Sequence, residues 1–189
     1  MIIAITGLKR SGKNTLGSYI RDTYGFQEYA FAKPIKEVTS LLFGWTQEYM
    51  EEHKEEIDEV WGVSPRQVMQ YFGTEDFQYN FPKAFPEFEK RVGRTFWVKK
   101  FEQLLQQNGD TNFVITDFRF PHEQEILSKY NAVTIKVINP AIKATDLHES
   151  ESYIQKMKCD YNIMNDGTKE DLYEKARFLM DTLGKNNGR

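Results

Sequence analysis

The sequence lacks several features that mark large classes of protein. Its single cysteine, Cys159, cannot form a disulfide within the chain, which excludes a disulfide-stapled framework and is typical of a reducing compartment. No apolar run approaches the roughly 18 residues needed to span a membrane, and the N-terminus has the character of a strand and loop, unlike a signal peptide. We therefore expect a cytoplasmic protein with no membrane partner.

An excess of positive charge is also missing. The chain has 25 Lys and Arg residues against 28 Asp and Glu residues, so its net charge is −3. Because nucleic-acid-binding domains usually carry a clear basic excess, this balance argues against nucleic acid as a partner. The 189 residues contain no repeats and are enough for a sizeable core, so we predict a single domain over residues 1–189.

The strongest positive signal is the segment IIAITGLKRSGKNTLGSYI, residues 2–20. Its apolar start predicts a buried strand, and a polar loop then runs from Gly7 through Gly12 and Lys13 into a segment with helical spacing. This order, with this spacing of glycines and lysine, is that of a phosphate-binding loop. The glycines let backbone N–H groups face inward at a helix N-terminus, and the lysine ammonium can bind the β- and γ-phosphates of a nucleotide.

One position departs from the usual pattern of such loops. The residue after the lysine is Asn14, where Ser or Thr commonly ligates Mg²⁺, and a hydroxyl follows one place later at Thr15. The GKGT and GKDT loops of small-metabolite and nucleotide kinases are more similar to this sequence than the loops of GTPases. We therefore expect Mg²⁺ near Thr15.

A second signal is NFVITDFRF, residues 112–120. Its apolar part predicts a buried parallel strand, and Asp117 comes near the C-terminal end of that strand, where ligands bind in open α/β sheets. An acid at this place can act on Mg²⁺ directly or through water. Arg119 and Glu123 follow at the start of the next predicted helix, so we expect a charged cluster at this edge.

The middle of the chain supplies candidates for binding a second ligand. Lys36 lies in the first turn of a predicted helix that ends at Gly44 and has an apolar stripe made of Ile35, Val38, Leu41 and Leu42. Arg66 and Gln70 follow a natural helix N-cap at Ser64. Because they are four residues apart they share a helix face, where a guanidinium and an amide could hold a phosphate and a base edge.

Residues 78–96 are crowded with aromatic side chains and interrupted by Pro82 and Pro86. This composition predicts an irregular arm or flap whose aromatic residues mostly pack against one another. Trp97 begins the next predicted helix, near the expected ligand-binding edge of the sheet. We therefore expect its indole ring to stack on a base.

The remaining segments complete an alternation of strands and helices. Further strands are predicted over residues 26–31, 132–139 and 161–165, and further helices over residues 15–24, 47–59 and 168–183. The polar connection over residues 140–158 contains the motif HESE and is predicted to form a lid or cap. Its spacing of acids and histidine fits no zinc pattern.

Together these motifs resemble those of phage-type deoxynucleoside monophosphate kinases. The resemblance rests on GLKRSGKNT, FAKPIK, SPRQVMQYFGTE, the tryptophan that opens WVKK, ITDFRFPHEQEI, HESE and IMNDGTKEDL, which occur in this order over nearly the whole chain. It implies an α/β, three-layer P-loop nucleoside-monophosphate-kinase fold, with a mostly parallel five-stranded sheet flanked by helices. The monophosphate-binding region would lie at about residues 33–97.

The resemblance also implies the reaction and its site. The γ-phosphoryl group of ATP or dATP would pass to a deoxynucleoside monophosphate (dNMP), with Mg²⁺, in the host cytoplasm, and a homodimer is an expectation because such kinases are often dimers. The residues expected to contact ATP are Arg10, Gly12, Lys13, Asn14, Thr15 and Leu16. Those expected to line the monophosphate site are Lys9, Lys36, Arg66, Trp97, Asp117, Arg119 and Glu123.

The sequence departs from this family in its arginines. Gln78 stands a few residues after GTE, where the family often has an arginine, and residues 140–158 contain no arginine. The charge that lid arginines neutralise in adenylate-kinase-like enzymes must therefore be met by Arg10, Arg119 or the arginines of the aromatic arm. Two other functions stay open: a kinase for another phosphorylated acceptor such as phosphomevalonate or dephospho-coenzyme A, and a nucleotide-binding module without catalysis.

Overall fold

A computed structural model describes residues 1–142 and 149–187 of the protein. The chain divides into two compact units. The first unit comprises Met1–Ala30 and Asn108–Arg189, and the second comprises Phe31–Gln107. The second unit contains the whole predicted monophosphate-binding region, and the assignment of residues 1–189 to one functional domain stays a prediction.

The first unit is built on a parallel sheet. Its strands are β1 (Ile2–Thr6), β2 (Gln27–Tyr29), β3 (Phe113–Ile115), β4 (Val133–Ile138) and β5 (Tyr161–Met164), and its helices are α1 (Lys13–Tyr24), α8 (Pro121–Lys129), α9 (Glu149–Lys156) and α10 (Lys169–Asn187). The five strands lie in the order β2-β3-β1-β4-β5, and every neighbouring pair is parallel. The predicted parallel five-stranded sheet is confirmed.

The strand order gives the helices their layers. The chain moves from β1 to β2 in one direction along the sheet and from β3 to β4 and β5 in the other. Because crossovers between parallel strands are right-handed, α1 lies on one face of the sheet while α8 and α9 lie on the opposite face. The connections that leave the neighbouring strands β1 and β3 therefore go to opposite faces, and ligands bind at such a switch point in open α/β sheets.

The core of the first unit joins α1 and α10 to one face of the sheet. Leu16 and Ile20 of α1 are fully buried against Ile3 and Ile5 of β1, as is Ala176 of α10. The buried residues of this cluster are Ile3, Ile5, Leu16, Ile20, Phe26, Val114, Ile135, Val137, Ile163, Leu172, Ala176, Leu179, Met180 and Leu183. All five residues of β1 are buried, as expected for a central parallel strand.

The second unit is helical throughout its described elements. It contains α2 (Lys33–Phe43), α3 (Gln47–Glu52), α4 (Pro65–Gln70), a π-helical segment (Tyr71–Asn80), α5 (Phe81–Ala84), α6 (Pro86–Arg91), a 3₁₀ turn (Gly93–Thr95) and α7 (Phe96–Gln107). The prediction of an irregular backbone over residues 78–96 is therefore wrong. Its prolines begin new short helices, because proline is tolerated in a helix's first turn.

The aromatic residues of this segment pack on one another, as expected. Phe77 stacks on both Phe81 and Phe96, with ring centroids 5.4 and 4.9 Å apart, and Phe81 contacts Phe88 edge-on at 5.0 Å. Such ring pairs add stability beyond the area that they bury. Side-chain packing therefore holds together a run of short helices that would be marginal alone.

Two other predictions for the second unit need correction. The predicted helix over residues 47–59 ends at Glu52. The carboxylate of Asp58 accepts hydrogen bonds from Trp45 Nε1, from Tyr49 Oη and from the backbone N–H groups of Val60 and Trp61. These bonds turn the chain where the helix was expected to continue. On α2 the apolar stripe is largely exposed. Ile35 is 8% exposed, but Leu41 is 83% and Leu42 is 58% exposed.

The other boundaries agree closely with expectation. Gly25 and Gly44 end α1 and α2 in left-handed conformations, and the Ser64 hydroxyl caps α4. The predicted lid contains helix α9. Residues 143–148, which include the histidine of HESE, lie outside the described residues. Within the part of the chain that is described, no helix is long and apolar enough to cross a membrane.

Helix α1 packs closely against the end of β3 at Gly17. A Cβ atom there would lie 2.3 Å from Thr116 Cγ2, so Gly17→Ala should destabilise the protein by about 1–3 kcal/mol through overpacking. The change is measured as the free energy of unfolding in urea, followed by circular dichroism. Thr116→Ser removes the clashing methyl and should restore much of the loss in the double variant.

Gly184 of α10 is the matched control for this helix substitution, because a Cβ atom there meets nothing within 4 Å. Gly184→Ala should be neutral or stabilising by up to about 1 kcal/mol from helix propensity alone. Equal effects at both glycines would contradict the close packing of α1 on the sheet.

Candidate active site

The loop between β1 and α1 has the backbone of an anion-binding turn. Arg10 and Gly12 both lie in the left-handed region, with φ of 66° and 100°. Alternation between right- and left-handed residues turns successive N–H groups toward one concavity, which suits a phosphate. For a residue with a side chain such as Arg10 this conformation costs about 1–3 kcal/mol, and such strain concentrates at functional sites.

Lys13 lies inside the loop that it is predicted to serve. It is the first residue of α1, and its Nζ donates to the Leu8 carbonyl oxygen at 3.1 Å. The Ser11 N–H donates to the same oxygen at 3.1 Å, so the Leu8 carbonyl accepts hydrogen bonds from both Ser11 and Lys13. The ammonium is thereby tied to the backbone of the loop.

The other loop residues differ in how far their side chains are exposed to solvent. Lys9, Arg10 and Asn14 are exposed, and Thr15 is half-buried in the first turn of α1. The Leu16 side chain is fully buried in the core, and its N–H donates to the Gly12 carbonyl at 3.0 Å. The predicted contact of Leu16 with ATP therefore depends on its backbone, and all these nucleotide contacts stay predictions.

Asp117 lies at the same edge of the sheet as the loop between β1 and α1. It follows β3, which pairs with β1 so that Ile115 lies opposite Ala4. Since the two strands are parallel, the loop after β1 and the half-buried Asp117 leave the same edge of the sheet. The structure thus brings together the two strongest sequence signals.

The chemistry of these side chains fits Mg²⁺ bound with a nucleotide. Mg²⁺ prefers hard oxygen ligands and is usually held by one or two protein groups together with phosphate oxygens and water. The Thr15 hydroxyl and the Asp117 carboxylate are both oxygen donors. Across residues 1–142 and 149–187 there is no group of three or more His, Cys, Asp or Glu side chains that could hold a metal ion.

Glu123 supports the backbone of the charged turn. Its Oε2 accepts hydrogen bonds from the N–H groups of Arg119 and Phe120, at 2.8 and 2.9 Å, and its side chain is buried. Burial raises the pKa of Glu123 to about 8, and the Asp117 charge adds to that rise, while the two N–H bonds and Arg119 act against it. This geometry orients the turn that carries Asp117 and Arg119.

In the second unit, Arg66 and Gln70 lie four residues apart on α4, as predicted. Arg66 is 20% exposed and pairs with Glu55 at 2.9 Å. Lys36, in the first turn of α2, pairs with Glu51, and that bond, helped by Lys54 and opposed by burial, holds the pKa of Glu51 below its usual range. Two of the predicted phosphate-binding cations therefore each pair with a carboxylate.

Trp97 is held within the aromatic cluster. It is 6% exposed, its Nε1 donates to the Gly73 carbonyl at 2.8 Å, and its ring lies against Phe77 and Phe96. Gln78 Nε2 donates to the same carbonyl at 3.1 Å. The structure shows a packing role for the indole, and base stacking by Trp97 stays a prediction.

Two polar residues with no role in the sequence analysis have structural roles. Gln78 is 2% exposed, and its Oε1 has no hydrogen-bond partner among the described residues. Asn165 donates from Nδ2 to the Ser11 carbonyl at 2.9 Å and so touches the phosphate loop. Asn165 lies in the segment IMNDGTKEDL that carries part of the family resemblance, but a contact across 154 positions has no local signal in the sequence.

The raised pKa of Glu123 predicts a specific pH dependence of stability. The folded protein keeps the Glu123 proton up to about pH 8 while the unfolded chain releases it near its ordinary pKa of 4.5. The wild-type free energy of unfolding should therefore fall as pH rises from about 5 to 8, by about 1 kcal/mol per pH unit from this group. Glu123→Gln, which can still accept both N–H bonds, should remove that part of the slope.

The measurement is urea denaturation of the ligand-free protein at pH 5, 6, 7 and 8, comparing wild type with Glu123→Gln. Other titrating groups act equally in both proteins, so the difference between the curves isolates Glu123. Parallel curves for the two proteins would contradict a protonated Glu123.

The chain is similar in sequence to known proteins over most of its length. The chain matches the family described as deoxynucleotide monophosphate kinase over residues 1–57 and 43–176. It is 30% identical to a putative deoxynucleotide monophosphate kinase of Acanthamoeba polyphaga mimivirus, over 99% of this chain and 100% of the relative, and 23% identical to the deoxynucleotide monophosphate kinase of Enterobacteria phage T4, over 96% and 99%.

A solved structure, TT1252 from Thermus thermophilus, is similar in fold with a TM-score of 0.50 and 16% identity, over 97% of each chain. At this identity the likeness concerns the fold alone. The family match and the mimivirus relative each cover most or all of the chain, and both agree with the motifs from which the resemblance was inferred. The chain belongs to the deoxynucleotide monophosphate kinase family.

Proposed function

We propose that the protein transfers the γ-phosphoryl group of ATP or dATP to a deoxynucleoside monophosphate, giving the diphosphate. The observation that carries this proposal is the loop between β1 and α1, in which Arg10 and Gly12 are left-handed and Lys13 Nζ bonds to the loop backbone, next to the strand that leads to Asp117. Family membership supports the choice of a nucleoside monophosphate as the acceptor.

On the donor side, the loop amides and Lys13 bind the β- and γ-phosphates. Thr15 and Asp117 would hold Mg²⁺, which when bound neutralises charge on the phosphate oxygens. Arg10, Gly12, Asn14 and Leu16 complete the proposed donor contacts, Leu16 through its backbone.

On the acceptor side, we assign residues of each unit separately. In the first unit, Lys9, Asp117, Arg119 and Glu123 are proposed acceptor residues, with Arg119 on the phosphate and Glu123 holding the backbone of its turn. In the second unit, the proposed acceptor residues are Lys36, Arg66, Gln70 and Trp97. The ion pairs of Lys36 and Arg66 fix these cations in position, and each must exchange or share its carboxylate when a phosphate binds.

The chemistry requires positioning and charge neutralisation more than proton transfer. Phosphoryl transfer passes through a loose transition state, and the attacking phosphate oxygen of the acceptor is already anionic. A general base is therefore unnecessary. Lys13 and Arg119, with Asp117 on Mg²⁺, are the proposed catalytic residues, and Arg10 is a further cation of the loop.

The proposal extends to the setting of the reaction. We propose action in the cytoplasm, of the host where the chain is viral, on small-molecule substrates and with no nucleic-acid or membrane partner. A homodimer is part of the proposal, since Leu41 and Leu42 on α2 expose apolar surface that a second copy would cover.

Replacing Lys13 tests the loop. Lys13→Ala should reduce turnover by several orders of magnitude, because it removes the charge nearest the transferring phosphoryl group, and should leave the circular dichroism spectrum unchanged. Turnover is measured as acceptor-dependent ADP release in a coupled assay. Lys129→Ala, at an exposed lysine of α8, is the matched control and should retain full activity. Near wild-type activity of Lys13→Ala would show that the loop is misassigned.

A panel of acceptors tests the substrate class. With ATP and Mg²⁺, at least one dNMP should support ADP release well above the rate without acceptor, in a series of all dNMPs and ribonucleoside monophosphates. Phosphomevalonate and dephospho-coenzyme A should not. Turnover on either of these without response to any dNMP would replace the proposed acceptor, and ATP binding with no response to any acceptor would favour a module without catalysis.

A further inference from the structure

The turn that follows β5 makes a contact that the proposed roles do not use. Asn165 comes directly after β5, and its N–H donates to the Ile138 carbonyl of β4 at 2.7 Å. Its side-chain Nδ2 donates to the Ser11 carbonyl in the phosphate loop at 2.9 Å. The residue is therefore fixed by the sheet at its backbone and reaches the loop with its carboxamide.

The fit between Asn165 and the loop is tight. A Cβ atom on Gly12 would lie 2.3 Å from Asn165 Nδ2, so the carboxamide occupies the space beside the glycine. Ser11 is 1% exposed, and its carbonyl meets the amide in a partly buried setting. A hydrogen bond in such a setting is costly to lose, because the carbonyl is then left without its partner.

The turn behind Asn165 is itself firmly held. Thr168 and Asp171 cap α10 reciprocally, with the Thr168 N–H donating to Asp171 Oδ2 at 2.7 Å and the Asp171 N–H to Thr168 Oγ1 at 3.2 Å. A Cβ atom on Gly167 would lie 2.3 Å from Asp171 Oδ2. The segment NDGT and the start of α10 thus form one support for the Asn165 side chain.

We propose that Asn165 is a positioning residue for the donor phosphates, acting through the Ser11–Gly12 peptide. In a trans peptide the C=O and N–H groups point in opposite directions. Holding the Ser11 carbonyl toward Asn165 therefore directs the Gly12 N–H away from Asn165 and into the loop. This inference rests on the proposed function of the loop as the triphosphate site.

The test compares ATP with inorganic tripolyphosphate, both as magnesium complexes, by isothermal titration calorimetry. If Asn165 acts through the loop, Asn165→Ala should weaken both ligands by about tenfold, the value of one hydrogen bond. Asn165→Asp, which loses the donor and adds a negative charge beside the loop, should weaken both further. The KM for ATP should rise with these losses while the KM for the acceptor stays within about twofold.

Asp160→Ala is the matched control. Asp160 precedes β5 at its opposite end and accepts from the Thr134 N–H and hydroxyl at 2.8 and 2.7 Å, so its loss also removes hydrogen bonds that anchor the strand. It should lower the melting temperature but leave both affinities within about twofold. Equal losses of affinity in Asp160→Ala and Asn165→Ala would reduce Asn165 to general support of β5 and overturn the proposal.

The remaining outcomes separate the inference from the function on which it rests. Weakened ATP binding with unchanged tripolyphosphate binding would mean that Asn165 contacts the nucleoside, which contradicts positioning of the phosphates. Unchanged binding of both ligands by Asn165→Ala would overturn the inference alone. A wild-type protein that binds neither ligand would overturn the proposed function of the loop, and the inference with it.

Discussion

The parallel pairing of β1 with β3 on one side and β4 on the other is the constraint on which the first unit depends. β1 is wholly buried and is hydrogen-bonded along both edges. Because the three strands run in one direction, their C-terminal ends meet at one edge, and the phosphate loop and Asp117 leave the sheet there. The register of a few apolar strand residues thus places the loop and Asp117 at the same edge of the sheet.

The glycines of the first twenty residues show how that sheet shapes the loop. Gly7, Gly12 and Gly17 each stand where another strand or its extension comes too close for a Cβ atom. Gly7 faces the Val137 carbonyl of β4, Gly12 faces Asn165 after β5, and Gly17 faces Thr116 after β3. The loop and the start of α1 are therefore enclosed from several directions, and the resulting rigidity suits a site that must hold phosphates in fixed positions.

Hydrogen bonds between side chains and backbone groups hold several turns of the protein in place. Glu123 holds two N–H groups of the turn after β3, and Asn165 holds one carbonyl of the loop. In the second unit, Trp97 and Gln78 converge on the single carbonyl of Gly73. Each of these side chains is wholly or partly buried, so its polar atoms stabilise only if their partners are in place. The protein thus fixes these turns with buried and partly buried polar groups, while Lys9 and Arg10 of the loop stay exposed.

The sequence by itself determined the parallel sheet, the phosphate loop, the place of Asp117 and most helix ends, because strand apolarity, glycine spacing and capping residues act over a few positions. It did not reveal that α3 ends at Glu52, that the aromatic arm is helical, or that α2 exposes Leu41. These depend on partners such as Asp58 and Phe77 that only the folded chain brings near. The same is true of Asn165, which meets Ser11 across most of the sequence. Local chemistry therefore decided which groups form the loop, and tertiary structure decided which partners hold it in place.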